Sequence, residues 1–286
     1  MSLPTPPSVR ELRLPSGVTL ELAEQGPPHG PALLLLHGIT DSWRSFEGVM
    51  PLLPADWRVV ALSQRGHGGS SKDADGHDTR DFAADAAQAI EALGLAPAVV
   101  VGHSMGTVNA LRLAIDRPDL VRGLVLAGAF ARFSDKSELV EYIASAIEPL
   151  VDPIPRAFAE EFQRSTIVQP VSEAFVQAMV DQSLRAPAAV WRSAFKGLLA
   201  DDFSDELARV QAPVLLIHAA HDAYVPLADL KLLLDALPRA RHELWADAGH
   251  AMHWEEPARF AAALVRFVLG LADNVIPFSG ARHVHA

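Results

Sequence analysis

Gly102-His103-Ser104-Met105-Gly106 sets one serine between two glycines, directly after the apolar run Val99-Val-Val and before the helical pattern Thr107 to Ile115. A serine at a turn that tight is held in a strained backbone, and side chains at the flanking positions would collide with neighbouring elements. The hydroxyl then stands at the carboxyl end of a buried strand, with a helix N-terminus facing any negative charge that develops. Ser104 is therefore read as a nucleophile, and the Met105 amide, which opens the helix, as one donor to an oxyanion. A serine hydroxyl is weak at neutral pH and needs a neutral imidazole to take its proton. The imidazole in turn needs a carboxylate to fix its tautomer. His103 is nearest in sequence, but an adjacent side chain on a strained turn points elsewhere.

Such a turn needs a scaffold, and the chain supplies one. Apolar runs without alternation recur at Ala32 to Leu36, Arg58 to Leu62, Ala98 to Val101, Gly123 to Ala127 and Pro213 to Ile217. Strands buried on both faces read this way, as in parallel sheets covered by helices. Helical patterns lie between them at Asp78 to Leu93, Thr107 to Ile115, Leu227 to Leu237 and Pro257 to Leu269, so the expected fold is α/β with a mostly parallel, doubly wound sheet. Val9 to Leu14 and Val18 to Ala23, around Pro15-Ser16-Gly17, read as an edge hairpin. From Arg132 to Leu199 no strand-like run occurs. Four amphipathic helical patterns fill that stretch, so residues 132–199 are read as a helical insertion, with 1–131 and 200–286 forming the core. Residues 272–286 show no clear period and are read as a loosely attached tail.

Composition narrows the function. The net charge of −11 argues against a nucleic-acid partner, which needs a basic stripe, and less firmly against an anionic membrane surface. The absence of cysteine excludes thiol catalysis and thiolate metal sites. No basic, then apolar, leader opens the chain, and no apolar run is long enough for a bilayer; a soluble cytoplasmic protein with no membrane partner is the expectation.

The segment around Ser104 resembles the nucleophile turn of the α/β-hydrolase family, and the resemblance extends over nearly the whole chain in the family's order of nucleophile, acid and histidine. His221-Asp222-Ala-Tyr224-Val225-Pro226, after a strand, is similar to the family's acid loop, which implies Asp222 as the acid. Gly249-His250, followed by Glu255-Glu256-Pro257, is similar to its histidine loop, which implies His250 as the base. His253 is the rival base, better placed to line a pocket mouth or cap a helix. Asp135, after an earlier strand, is the rival acid, but beside Lys136 and Glu138 it reads as solvated surface. His37-Gly38-Ile39-Thr40 resembles the family's oxyanion loop, which implies the Ile39 amide as second donor and His37 as a structural hydrogen-bonding residue. Gln64 to Ser70 resembles a turn segment that usually carries an aspartate where Ser63 stands here; it is read as structural.

The same resemblance sorts the chemistry. Dehalogenases and epoxide hydrolases on this fold use an aspartate nucleophile, and Ser104 is not one. Hydrolases of carbon–carbon bonds often carry a longer glycine-proline oxyanion loop than the one here. What remains is hydrolysis of a carboxylic ester, lactone or similar acyl compound, without metal or organic cofactor. Hydrolysis of a carbon–carbon bond or perhydrolysis by peroxide on the same triad, and a non-catalytic receptor on this fold, are the alternatives. The insertion is expected to form a lid with Trp191, Phe195, Leu198, Phe158 and Phe162 as candidate walls and Phe130 as the preferred pocket residue. The expected ligand is a small hydrophobic acyl molecule.

Overall fold

The runs of apolar residues pair edge to edge as a single sheet. The computed structural model describes residues 7–73 and 76–273. Strands β3 (Ala32–Leu36), β4 (Arg58–Leu62), β5 (Ala98–His103), β6 (Val121–Ala127) and β7 (Val214–Ala219) are parallel and almost wholly buried. The hairpin β1 (Ser8–Arg13) and β2 (Thr19–Gln25) joins antiparallel to β4. An eighth strand, β8 (Arg241–Trp245), pairs parallel to β7 and was not apparent from hydropathy. It lies at the sheet edge, so Arg241, His242 and Leu244 stay exposed and only Trp245 is fully buried. An edge strand needs no continuous apolar run, and its charges blunt the open edge.

The order is β1-β2-β4-β3-β5-β6-β7-β8. Successive side chains of a strand point to opposite faces, which divides the core in two. Leu34, Leu36, Val100, Leu124 and Leu126 pack against α1 (Thr79–Leu93), α2 (Met105–Asp116) and α7 (Leu227–Ala236). Leu33, Leu35, Val99, Val101 and Ile217 pack beneath α9 (Pro257–Asp273), where Phe260 and Phe267 are buried. The last helix thus runs on to Asp273, past the point where its pattern fades. The expectation of a loose tail lies, from residue 274 on, outside the described residues.

The chain passes from β3 to β4 on one side and returns to β5 on the other side of β3. Such a reversal opens a crevice at the carboxyl ends of the two strands. Leu36 pairs with Gly102, which sets the loop after β3 beside the turn after β5. Between β6 and β7 the chain forms α3 (Ser137–Tyr142) continuing into one π turn, α4 (Arg156–Arg164), α5 (Glu173–Ser183) and α6 (Ala188–Ala200). Its entry and exit meet at an isolated antiparallel bridge between Arg132 and Asp202, and Phe203 N–H donates to the Ala131 carbonyl at 3.0 Å. No described helix is long and apolar enough to cross a membrane.

Candidate active site

Ser104 sits at φ 51° and ψ −119°, a left-handed region that costs a non-glycine residue about 1–3 kcal/mol. The surroundings hold it there. Its N–H donates to the Ala127 carbonyl at 3.0 Å, and its own carbonyl accepts from Thr107 N–H at 2.8 Å. The flanking glycines answer to close approach: a Cβ on Gly102 would stand 2.3 Å from the Gly106 carbonyl oxygen, and one on Gly106 would stand 2.1 Å from that of Leu36. Met105 is the first residue of α2, so its N–H is among the four that find no carbonyl within the helix.

Asp222 follows β7 by three residues. Its Oδ1 accepts from Tyr224 N–H at 2.8 Å and Val225 N–H at 2.9 Å, while Oδ2 accepts from His250 Nδ1 at 2.8 Å. The Asp222 side chain is fully buried and that of His250 is 5% exposed. Burial alone would raise the Asp222 carboxyl. The charge that His250 carries when protonated, its hydrogen bond and the two backbone donors outweigh burial and hold it below the usual carboxylate range. With its proton on Nδ1, the neutral ring keeps Nε2 free to accept. Ser104 and His250 border one cavity, although no hydrogen bond joins the hydroxyl to the ring among the described residues. Such contacts are often long without substrate and tighten when it is seated.

The histidine loop is fastened from three directions. Glu255 accepts from Gly249 N–H at 2.8 Å on one oxygen, and from Val168 and Gln169 N–H at 2.5 and 3.0 Å on the other. Ala251 N–H donates to the Thr166 carbonyl at 2.8 Å. His103 Nε2 donates to the His250 carbonyl at 3.0 Å, and burial pushes the His103 ring down to about 3, so it is a neutral support. His253 is not at a pocket mouth, as its sequence position led us to expect. It is 1% exposed, stacked near Phe46, His103 and Phe260, with Nε2 2.9 Å from Ser45 Oγ. The short helix that carries it (α8, Met252–Glu255) turns that face into the core under the sheet.

The loop after β3 is braced by His37, whose Nδ1–H donates to the Gly38 carbonyl at 2.6 Å while Nε2 accepts from Gln64 N–H at 2.9 Å. Burial pushes its pKa to about 4, which keeps Nε2 unprotonated and able to accept. Ile39 borders the cavity beside Gly38 and Ser104. Thr40 follows at φ 67°, a strained conformation for a β-branched residue. Ser63, where the resemblance led us to expect an aspartate, donates to Glu21 Oε2 at 2.8 Å and accepts from Trp43 N–H at 3.2 Å.

The cavity measures about 30 Å³, room for one or two waters. Its apolar wall is Phe133, Phe162, Phe195, Leu198 and Trp254, with Tyr224 at the acid side. Phe130 and Trp191, expected on that wall, stand behind it. Phe130 is 2% exposed with its ring 4.9 Å from that of Phe133, which takes the wall position. Trp191 is fully buried against Phe158 and Phe162, and its Nε1–H donates to the Ser183 carbonyl at 3.3 Å. Asp135 is paired with Arg132 and Lys136 away from the cavity. Sequence reasoning missed Asp41, Gln163 and Thr166, three further polar residues that border the cavity. Only the nearness of Asp41 to Ile39 hinted at any of them.

Residues 31–257 match the family described as alpha/beta hydrolase fold. The chain is 29% identical over 254 residues to the pyrrolizixenacetamide deacetylase of Xenorhabdus hominickii, covering 84% of this chain and 91% of that protein. It is 30% identical over 247 residues to a pimeloyl-[acyl-carrier protein] methyl ester esterase of Neisseria meningitidis, covering 84% and 77%. Among solved structures, esterase RhEst1 from Rhodococcus sp. ECU1013 superposes with a TM-score of 0.80 at 26% identity, over 92% of this chain and 99% of that one. The chain belongs to the α/β-hydrolase fold family, and it is a hydrolytic enzyme.

Proposed function

We propose that the protein hydrolyses esters of short acyl groups through an acyl-enzyme on Ser104. The observation that carries this reading is that the strained serine and His250, whose ring is held by Asp222, border one small, mainly apolar cavity. Ser104 Oγ attacks the ester carbonyl as His250 Nε2 takes its proton, and Asp222 stabilises the imidazolium that forms. The Ile39 and Met105 amides receive the oxyanion. Collapse of the tetrahedral species breaks the bond to the alcohol, which leaves with the proton from Nε2. Water then attacks the acyl-enzyme by the same route and frees the carboxylic acid and Ser104.

The helical insertion acts as a lid, contributing Phe162, Gln163, Thr166, Phe195 and Leu198 to the wall. The deacetylase and the two esterases to which the chain is similar support the reaction class. A series of p-nitrophenyl esters from acetyl to octanoyl tests the reading. Turnover should be highest for the short members, and a protein that hydrolyses none of them would contradict it.

A further inference from the structure

The loop after β3 carries a carboxyl group for which the reaction above has no use. Asp41 lies two residues beyond Ile39, borders the same cavity as Ser104 and His250, and is 3% exposed. Its Oδ1 accepts from Gln163 Nε2 of α4 at 3.0 Å, and its Oδ2 accepts from Ser45 Oγ at 3.0 Å. Ser45 in turn accepts from Trp254 Nε1–H at 3.0 Å. A carboxylate has about four acceptor positions, and these contacts use two.

The tie to Gln163 and Ser45 leaves acceptor capacity on both carboxyl oxygens unused. An asparagine of the same shape could accept from Gln163 and donate to Ser45, but the Ser45 proton would then turn to His253 Nε2, 2.9 Å away, and leave a buried Nδ1–H without an acceptor. Burying a carboxylate costs far more than burying an amide. Here burial pushes the group up to about 7, against the pull of Gln163, Ser45 and the His250 charge. An acceptor of this strength on the wall of a reaction cavity is explained by a donor that enters with the ligand.

We propose that Asp41 is a substrate-recognition residue whose carboxyl accepts a hydrogen bond from a hydroxyl or amide N–H on the acyl group, so that short hydroxy- or amido-acyl esters are preferred over plain alkanoyl ones. This assignment rests on the ester-hydrolysis reading. Because Asp41 and Ser104 border the same cavity, the donor belongs to the part of the ester that enters it. The wall beyond it is made of Phe133, Phe162, Phe195 and Leu198, and outside the reacting pair the polar side chains on the cavity are those of Asp41, Gln163 and Thr166, His103, and Tyr224 at the acid side; of these Asp41 is the carboxyl.

The test uses ester pairs in which a hydroxyl replaces a methyl of like size: p-nitrophenyl glycolate against propionate, and 3-hydroxypropionate against butyrate. Each kcat/KM is divided by the ester's rate with hydroxide to remove intrinsic reactivity. In at least one pair the wild-type ratio should favour the hydroxyl member by about tenfold to a hundredfold, as expected for a hydrogen bond to a charged acceptor. In Asp41→Leu that ratio should fall towards one. In Asp41→Asn, which retains partners for Gln163 and Ser45, it should fall several-fold. A role confined to tying the loop to the insertion would change the rates of both members together and leave the ratio alone. A wild-type ratio near one in both pairs, or a ratio unchanged in Asp41→Asn, would overturn the assignment. Should the leucine variant not fold, the wild-type and asparagine ratios decide. If the wild type turned over none of the four esters, the hydrolytic reading itself would fall, a result distinct from turnover without preference.

Discussion

Both oxygens of Asp222 are committed, one to two backbone amides and one to His250, so the residue does its work by shape and charge together. Asp222→Asn keeps the shape but turns an amide towards the ring and disfavours the tautomer with Nε2 free. Turnover should fall by up to about 10⁴-fold with little change in Tm. Asp135→Asn, on a partly exposed pair with Arg132 and Lys136, should stay within a few-fold of wild type. Steady-state kinetics on the two variants decides between them, and a large loss at Asp135 alone would move the acid to the earlier strand. Asp41 offers a test of opposite sign. Its carboxyl is pushed from the usual value near 4 up to about 7, so the folded chain holds a proton that the unfolded chain releases in that window. Stability from this group is therefore lost as pH rises from about 4 towards 7. Asp41→Asn removes the loss, and its Tm relative to wild type should rise between pH 5 and pH 8; a difference that is flat or falls would contradict the argument. Ser104, Asp222 and His250 were legible in the sequence because each rests on a local segment with its own turn chemistry. Asp41 and Gln163 were not, since they meet 122 positions apart through packing alone.

Among the elements, the short segment carrying His250, the proposed base, depends on Glu255. Glu255→Ala would leave the Gly249, Val168 and Gln169 amides without their acceptor; two of these bonds are part-buried and that of Val168 is exposed, so each loss costs about 0.5–1.5 kcal/mol. The loop before His250 and the insertion after α4 would loosen together. We expect a Tm lowered by several degrees and a kcat reduced tenfold or more, with Glu255→Gln recovering part of both; an unchanged kcat would mean the loop is held by His103 and Thr166 alone. The insertion itself was legible as helices but not as a wall. Trp191, Phe195 and Leu198 lie along α6, and periodicity gives their shared face without saying which end of it the neighbouring α4 covers. Phe158 and Phe162 of α4 close over Trp191 and leave Phe195 and Leu198 on the cavity. Phe130 and Phe133 lie between β6 and α3, where no period tells which ring faces inward. Phe162→Ala should therefore shift acyl-chain preference towards longer esters more than Phe130→Ala does. An equal profile for the two variants would show that the wall is misdrawn.

For the molecule as a whole, strand order converts segments spread from Ile39 to His250 into one site. The reversal at β3 and β5 sets Ile39 against Ser104, and the parallel neighbours β6 and β7 bring Asp222 to the same end of the sheet. The five buried strands were legible because both their faces need apolar side chains. β8 was not, because an edge strand that exposes Arg241 and His242 reads like a loop. The central claim is that this assembly serves one hydroxyl. The direct test is hydrolysis of p-nitrophenyl propionate by the wild type and by Ser104→Ala, each shown to be folded by circular dichroism. The account predicts release of nitrophenolate by the wild type and a loss of about 10⁶-fold in kcat for the variant, with Tm unchanged or raised as the strained residue loses only its oxygen. Substantial turnover by folded Ser104→Ala would contradict it.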